Sequence, residues 1–466
     1  MKKTIVTLFI ALFTLAAAAQ TVEEGNSHLY YGRYKSAEET FRKIIQSQPA
    51  SQGGWYGIVK SLLLQDRASE AATLLSTAPV SVRNEPYFLV AAGAASLELG
   101  RIDSAKMFFD EALNQTRNKD AGIMSVIASA HIDADAGQPS VALNLLEQAI
   151  KRDKRNGHYD VLKGDAFRKM LNASEAYKSY KEAIEKNGSL AEAYHKLGDI
   201  FLSQKNPEMY LEYFNKAVAA DPNYAPSLYQ LYSYEFARNP IKAREYFLRY
   251  QQHADAGPDI AYQMADIYYI NKDYPVAVEK AKGLVSTEGK ALKPRIYKLL
   301  AYSYAGMKDT AQAITWMQQY FDKEADSNFI AMDFASMADF QLAAGAGDSV
   351  VAVLYEKALQ LEQDSSQLHV LSKRLADFAS ASKDYSAQAK WLARYYDGND
   401  KVTNLDLFNW ALAHYRAEEF RQADSVFGLY VAKYPEQSFG YYWQAKAKAM
   451  QDKDMKQGLA IPVYQK

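Results

Sequence analysis

The 466-residue chain contains no cysteine, which excludes disulfides, thiolate metal sites, a cysteine nucleophile and lipid attachment to an amino-terminal Cys. Neither sign of charge prevails. Lys and Arg number 54 against 55 Asp and Glu, so the chain has no basic field for nucleic acid and no acidic tail. The histidines at 28, 131, 158, 195, 253, 369 and 414 never fall in HExxH or a close pair, so neither metal nor cofactor is expected. No Gly-x-Ser-x-Gly elbow occurs. Gly345-Ala346-Gly347 lacks the Gly-Lys-Ser/Thr of a phosphate loop and reads as a turn between two helices. Carboxylates are plentiful, but no spacing selects an acid and base pair, so the chain is expected not to be an enzyme.

What is present begins with an address. Residues 1–20, MKKTIVTLFIALFTLAAAAQ, place two lysines before an apolar run from Ile5 to Leu15 and then small residues, the layout of a secretory signal. That run is shorter than the roughly 20 residues that span a bilayer. Cleavage after Ala17-Ala18-Ala19 would leave Gln20 first. The mature chain is then expected in the periplasm or outside the cell, without a transmembrane anchor and not as a lipoprotein.

The remainder is one repeat. A small residue is followed four positions later by a large apolar one at Ala37/Phe41, Ala71/Leu75, Ala105/Phe109, Ala142/Leu146, Ala176/Tyr180, Tyr210/Phe214, Ala243/Phe247, Ala277/Ala281, Ala313/Met317, Val351/Tyr355, Ala387/Trp391 and Ala423/Phe427. Successive pairs lie 33 to 38 residues apart, a period that marks stacked two-helix units. In the sixth unit, Tyr194, Leu197, Ile200 and Phe201 share one helical face, and Tyr210, Phe214, Ala217 and Val218 share another before Asp221-Pro222. Such a unit exposes apolar surface on both sides and buries a core only when neighbours stack on it. Alanines mark the close helix crossings. Pro49, Pro222 and Pro435 end units because proline cannot continue a helix.

Tyr194, Leu197-Gly198, Phe201, Phe214, Ala217 and Pro222, together with Trp55, the set Gly93, Ala105, Phe109 and Ala112, and the set Gly164, Ala176 and Ala183, give the chain its resemblance to the tetratricopeptide repeat (TPR) family. Tyr210 replaces the family's central Ala. The resemblance extends over about 25–466 and implies an all-α fold, a right-handed α-solenoid of stacked helix-turn-helix repeats. Units from about 294 are longer and degenerate, with Asp339 and Leu375 where the family prefers Gly or Ala. The expected organisation is a signal peptide (1–19), amino-terminal repeats (20–121), central repeats (122–293) and degenerate repeats ending in an incomplete one (294–466). QTRNKDAG, at 115–122, reads as either a hinge or a longer inter-repeat loop.

The resemblance implies that first helices line a concave groove. The candidate groove residues are His195, Asp199, Tyr229, Tyr232, Tyr262, Asp266, Tyr269, Arg295, Lys298 and Tyr302, an aromatic and mixed-charge set drawn from 35 tyrosines. Tyrosine joins a rigid apolar body to a polar tip and suits an extended peptide. The competing reading, that a given ring simply replaces one of the family's large packing residues, carries the greater weight for any single tyrosine. The expected function is a non-catalytic scaffold for peptide or protein partners in the cell envelope. The alternatives are a glycan-binding or enzyme-associated repeat protein, and a structural assembly subunit. A partial last unit, with Ala460, Ile461, Val463 and Tyr464, leaves a carboxy-terminal edge open to self-association.

Overall fold

A computed structural model describes residues 21–465; the address segment and its cleavage site lie outside them. The described residues form 26 α-helices and no strand, an all-α helical-repeat solenoid. They fall into two compact units, one ending at Asn271 and the other beginning at Lys272.

In the first unit the helices are α1 (Val22–Tyr30), α2 (Tyr34–Ser47), α3 (Gln52–Leu63), α4 (Ala68–Ser76), α5 (Pro86–Glu98), α6 (Ile102–Gln115), α7 (Ala121–Asp133), α8 (Pro139–Arg152), α9 (His158–Lys169), α10 (Ala173–Lys186), α11 (Ala191–Ser203), α12 (Pro207–Ala220), α13 (Ala225–Glu235), α14 (Pro240–Gln252) and α15 (Pro258–Ile270). Most pairs turn through a residue at positive φ. In the sixth, Lys205 takes the left-handed conformation at φ 55°, and the Asn206 side chain accepts the amide of Met209 at 3.2 Å. Pro207 then occupies the first helical position, where a missing N–H costs nothing. Asp221-Pro222 stops the helix.

Packing follows the small/large pairs. Ala37, Phe41, Ala142, Leu146, Ala176, Tyr180, Ala243 and Phe247 are fully buried. Glycine lets the aromatic member approach the preceding helix: a Cβ on Gly93, Gly164 or Gly198 would sit inside 3.0 Å of ring atoms of Phe109, Tyr180 or Phe214. The 115–122 connection does not break the stack. Arg117 and Asn118 turn it at φ 51° and 52°, Arg152 donates to the Asn118 carbonyl at 2.6 Å, and one hydrophobic core runs from Leu89 through Phe109, Ile123 and Leu146 to Ala166. It is an inter-repeat loop inside a continuous core.

The second unit holds α16 (Tyr274–Thr287), α17 (Arg295–Gly306), α18 (Thr310–Lys323), α19 (Ala331–Ala343), α20 (Asp348–Leu361), α21 (Ser365–Ala381), α22 (Tyr385–Tyr396), α23 (Asn404–Arg416), α24 (Phe420–Lys433), α25 (Ser438–Gln451) and α26 (Ile461–Tyr464). Gly345-Ala346-Gly347 is the turn between α19 and α20, with Gly345 at φ 78°. Degeneracy is compensated by polar pairing: Asp339 accepts the Tyr355 hydroxyl at 2.5 Å and an Arg374 N–H at 2.8 Å. One pair corrects the sequence reading. Ala387 and Trp391 are only partly buried, and the closed positions of α22 are Ala389 and Leu392. The Trp391 indole packs against both adjoining core clusters, so the tight crossing passes to Ala389. At α26, Val463 is buried while Ile461 and Tyr464 are exposed.

Candidate functional site

The first helices of successive pairs present one face, and in the first unit that face is laced with ion pairs. Lys60 on α3 is bonded to Asp133 on α7 and donates to Ser129 at 2.9 Å. Burial works against its ammonium, and Asp133 and Tyr56 outweigh that, so Lys60 stays charged well above the ordinary lysine range. His158 on α9 faces Glu192 on α11 at 3.4 Å; burial opposes the imidazolium, but Glu192 raises the pKa above the usual value. Asp165 on α9 accepts the Tyr180 hydroxyl at 2.7 Å and pairs with Lys196 at 3.1 Å. Burial lifts its carboxyl above the usual range in spite of Lys196.

His195 and Asp199 belong to this network. Arg168 reaches Asp199 at 3.3 Å, and His195 lies 3.7 Å from Asp199 and 3.0 Å from the Ser227 hydroxyl. Burial holds the His195 imidazole below its usual pKa, which favours a neutral ring packed obliquely on Phe214 and edge-to-face with Tyr224. Tyr229 is 37% exposed and packs on Tyr250. Tyr232 and Tyr262 are 5% and 2% exposed and sit in the packed interior. Asp266 and Tyr269 are half-buried on α15. In the second unit, Arg295 is exposed at the start of α17, Lys298 pairs with the fully buried Asp333 at 2.7 Å, and the Tyr302 hydroxyl lies 3.3 Å from that of Ser336.

Sequence reasoning missed the amino-terminal half of the face. His158 and Asp165 stand 34 residues before Glu192 and Asp199, so shifting those positions by one repeat finds them. A concavity lies further toward the amino terminus, a pocket of ≈ 230 Å³ built by three first helices, α3, α5 and α7. Its walls include Val59, Leu63, Ala91, Ala94, Val126 and Ala130; Lys60, Asp66, Glu98 and Asp133 carry its charge. Among the described residues no three His, Asp or Glu side chains could hold a metal ion, and no helix is long and apolar enough to cross a membrane.

Three family models match in overlapping succession: a tetratricopeptide repeat at 22–87, a tetratricopeptide repeat-like domain at 65–200 and a tetratricopeptide repeat at 191–224. The chain is a tetratricopeptide repeat protein. The matched TPR segments end inside the first unit, whereas the helix pairs continue to residue 451. The chain is similar to the carboxy-terminal part of a TPR repeat-containing protein from Cytophaga hutchinsonii, at 24% identity over 44% of this chain and 76% of that one, with TM-score 0.36. It is similar to a thermophilic TPR protein in Thermus thermophilus, at 18% identity over 43% and 98%, with TM-score 0.31. A third similar structure is YrrB, a TPR protein with an unusual peptide-binding site, at 18% identity over 41% and 98%, with TM-score 0.26. No curated protein matches the chain.

Proposed function

We propose that this TPR protein is an exported, non-catalytic scaffold that holds a peptide or protein partner along the first-helix face of its first unit. The observation that carries the reading is the pocket between α3, α5 and α7. Apolar walls with a few placed charges are what a side-chain socket requires, and a preformed socket spares the partner part of the ordering cost of binding. The ion-paired row from Lys60 to Asp199 continues the same face with groups already held in place. Export rests on the lysines, apolar run and small residues of 1–20, and places the partner in the periplasm or outside the cell.

Two measurements test the two halves. The mature protein from the native cell should have the intact mass of a chain beginning at Gln20; a protein retaining Met1 contradicts export. Chemical crosslinking in the native cell should join the chain to a defined protein, with crosslinked peptides on first helices; a chain that crosslinks only to small glycans favours the glycan-binding alternative.

A further inference from the structure

The pocket between α3, α5 and α7 has more carboxylates than cations in its lining. Asp66, Glu98 and Asp133 line it against one cation, Lys60, which is already committed to Asp133 and Ser129. Lys169, whose charge is felt at Glu98, is itself held by backbone: it donates to the His131 carbonyl at 3.2 Å, to that of Ile132 at 2.9 Å and to that of Ala134. Glu98 is half-buried, and burial, then Asp135 and Asp133, push its carboxyl above the ordinary pKa. Beneath these carboxylates the wall is apolar, and Ala91, Ala94 and Ala130 keep it open. At ≈ 230 Å³ it exceeds the ~150 Å³ cavity that accepts a benzene ring, enough for one long side chain.

An apolar shaft under a negative mouth is complementary to an aliphatic stem with a cationic head. We propose that this pocket is a specificity socket for a lysine or arginine side chain of the partner peptide, its stem against Leu63, Ala94 and Val126 and its head between Glu98 and Asp66. An acidic side chain would meet two carboxylates. An aliphatic one would bury the shaft but leave the mouth's charge partly desolvated and unpaired. The socket rests on the scaffold reading above and names the chemistry it selects.

Asp66 offers a clean test because its position tolerates lysine. It sits in the left-handed turn between the helices of a pair, at φ 59°, and the corresponding turns carry Lys205, Lys272, Lys308 and Lys383 at φ 55° to 63°. The full mature chain is titrated against four pools of fluorescent nonapeptides with randomised flanks and a fixed centre of Lys, Arg, norleucine or Glu. The Lys and Arg pools should bind about tenfold more tightly than norleucine, as a charge-assisted hydrogen bond warrants. Asp66→Lys with Glu98→Gln should abolish that difference and favour the Glu pool, with the melting transition unchanged. Equal binding of all pools to the wild type, lost on filling the shaft with Ala94→Leu, would overturn the cationic socket and leave the peptide scaffold standing. Absence of binding by every pool would overturn the socket, while native-cell crosslinking from the same face would decide the scaffold reading independently.

Discussion

At the scale of single residues, the repeat is written in what glycine and alanine leave out. Gly198 lies against Phe214, where a Cβ would enter the ring, whereas Gly283 on α16 has open space around it. The same substitution should therefore have opposite signs. Gly198→Ala should destabilise by about 1–3 kcal/mol through overpacking, and Gly283→Ala, on an exposed helix surface, should stabilise by about 0.5–1 kcal/mol. Paired thermal melts check both; equal effects would mean that Phe214 yields freely. This scale also marks where the sequence was ambiguous. Tyr229, Tyr232 and Tyr262 are the same residue type in the same class of helix, yet only Tyr229 is substantially exposed. Helical spacing locates a face to within about one position, and a ring placed at its margin can swing inward to pack.

At the scale of elements, the helix pairs were legible because burial enforces their period, and twelve repetitions make it unmistakable. The turn at Gly345-Ala346-Gly347 was legible too, but the interhelical pairings were not, since they depend on groups a whole repeat apart. One device recurs: a residue at positive φ between the helices of a pair, glycine at 32, 100 and 345 but Asp66, Leu171, Lys205 and Lys383 elsewhere. Leu171 is 93% exposed at φ 59°, so it incurs the left-handed strain without packing in return. Leu171→Gly should raise stability by roughly 1 kcal/mol, measured as an increase in melting temperature; a decrease would mean that the exposed leucine makes a contact worth more than the strain. The degenerate repeats use a second device. Asp333 caps α19 through the Ile330 amide at 3.1 Å while binding Lys298 and the Tyr320 hydroxyl at 3.0 Å, and Asp406 on α23 binds Lys373 at 2.9 Å. Removing a fully buried carboxylate strands its cation. Asp333→Ala should cost about 3–5 kcal/mol in the second unit, read by hydrogen exchange of α17 to α19; a loss below 1 kcal/mol would show that Lys298 escapes to solvent. Lys298 was a groove candidate because its position is a groove position, and its partner lies 35 residues on, beyond the reach of any local pattern.

At the scale of the molecule, the first unit is fastened end to end. Asp255, beyond α14, accepts the Lys35 amide at 2.7 Å, the Ser36 amide at 3.1 Å and the Ser36 hydroxyl at 2.6 Å, which caps α2 from some 220 residues away. Tyr30 packs on Tyr224 with centroids 5.3 Å apart, and Tyr30 and Tyr31 join the cluster of Ala191, Ala217 and Tyr224. No sequence period announces such a contact, because it joins positions in non-adjacent repeats. Asp255→Asn keeps the shape but weakens the charge-assisted bonds. It should speed hydrogen exchange across 22–47 and 221–260 and spare 121–152; unchanged exchange at 22–47 would mean that the aromatic cluster alone holds the closure.

The central claim, that the first-helix face of the first unit is where a partner sits, is tested most directly by position-resolved photo-crosslinking in the native cell. A photoreactive residue replaces Glu98 or His158 on first helices, or Lys106 or Lys178 on second helices, one at a time. Lys106 and Lys178 are well exposed, so accessibility favours the wrong face. The account predicts a discrete crosslinked protein from 98 and 158 and none from 106 or 178. Crosslinks from 106 and 178 alone would contradict it.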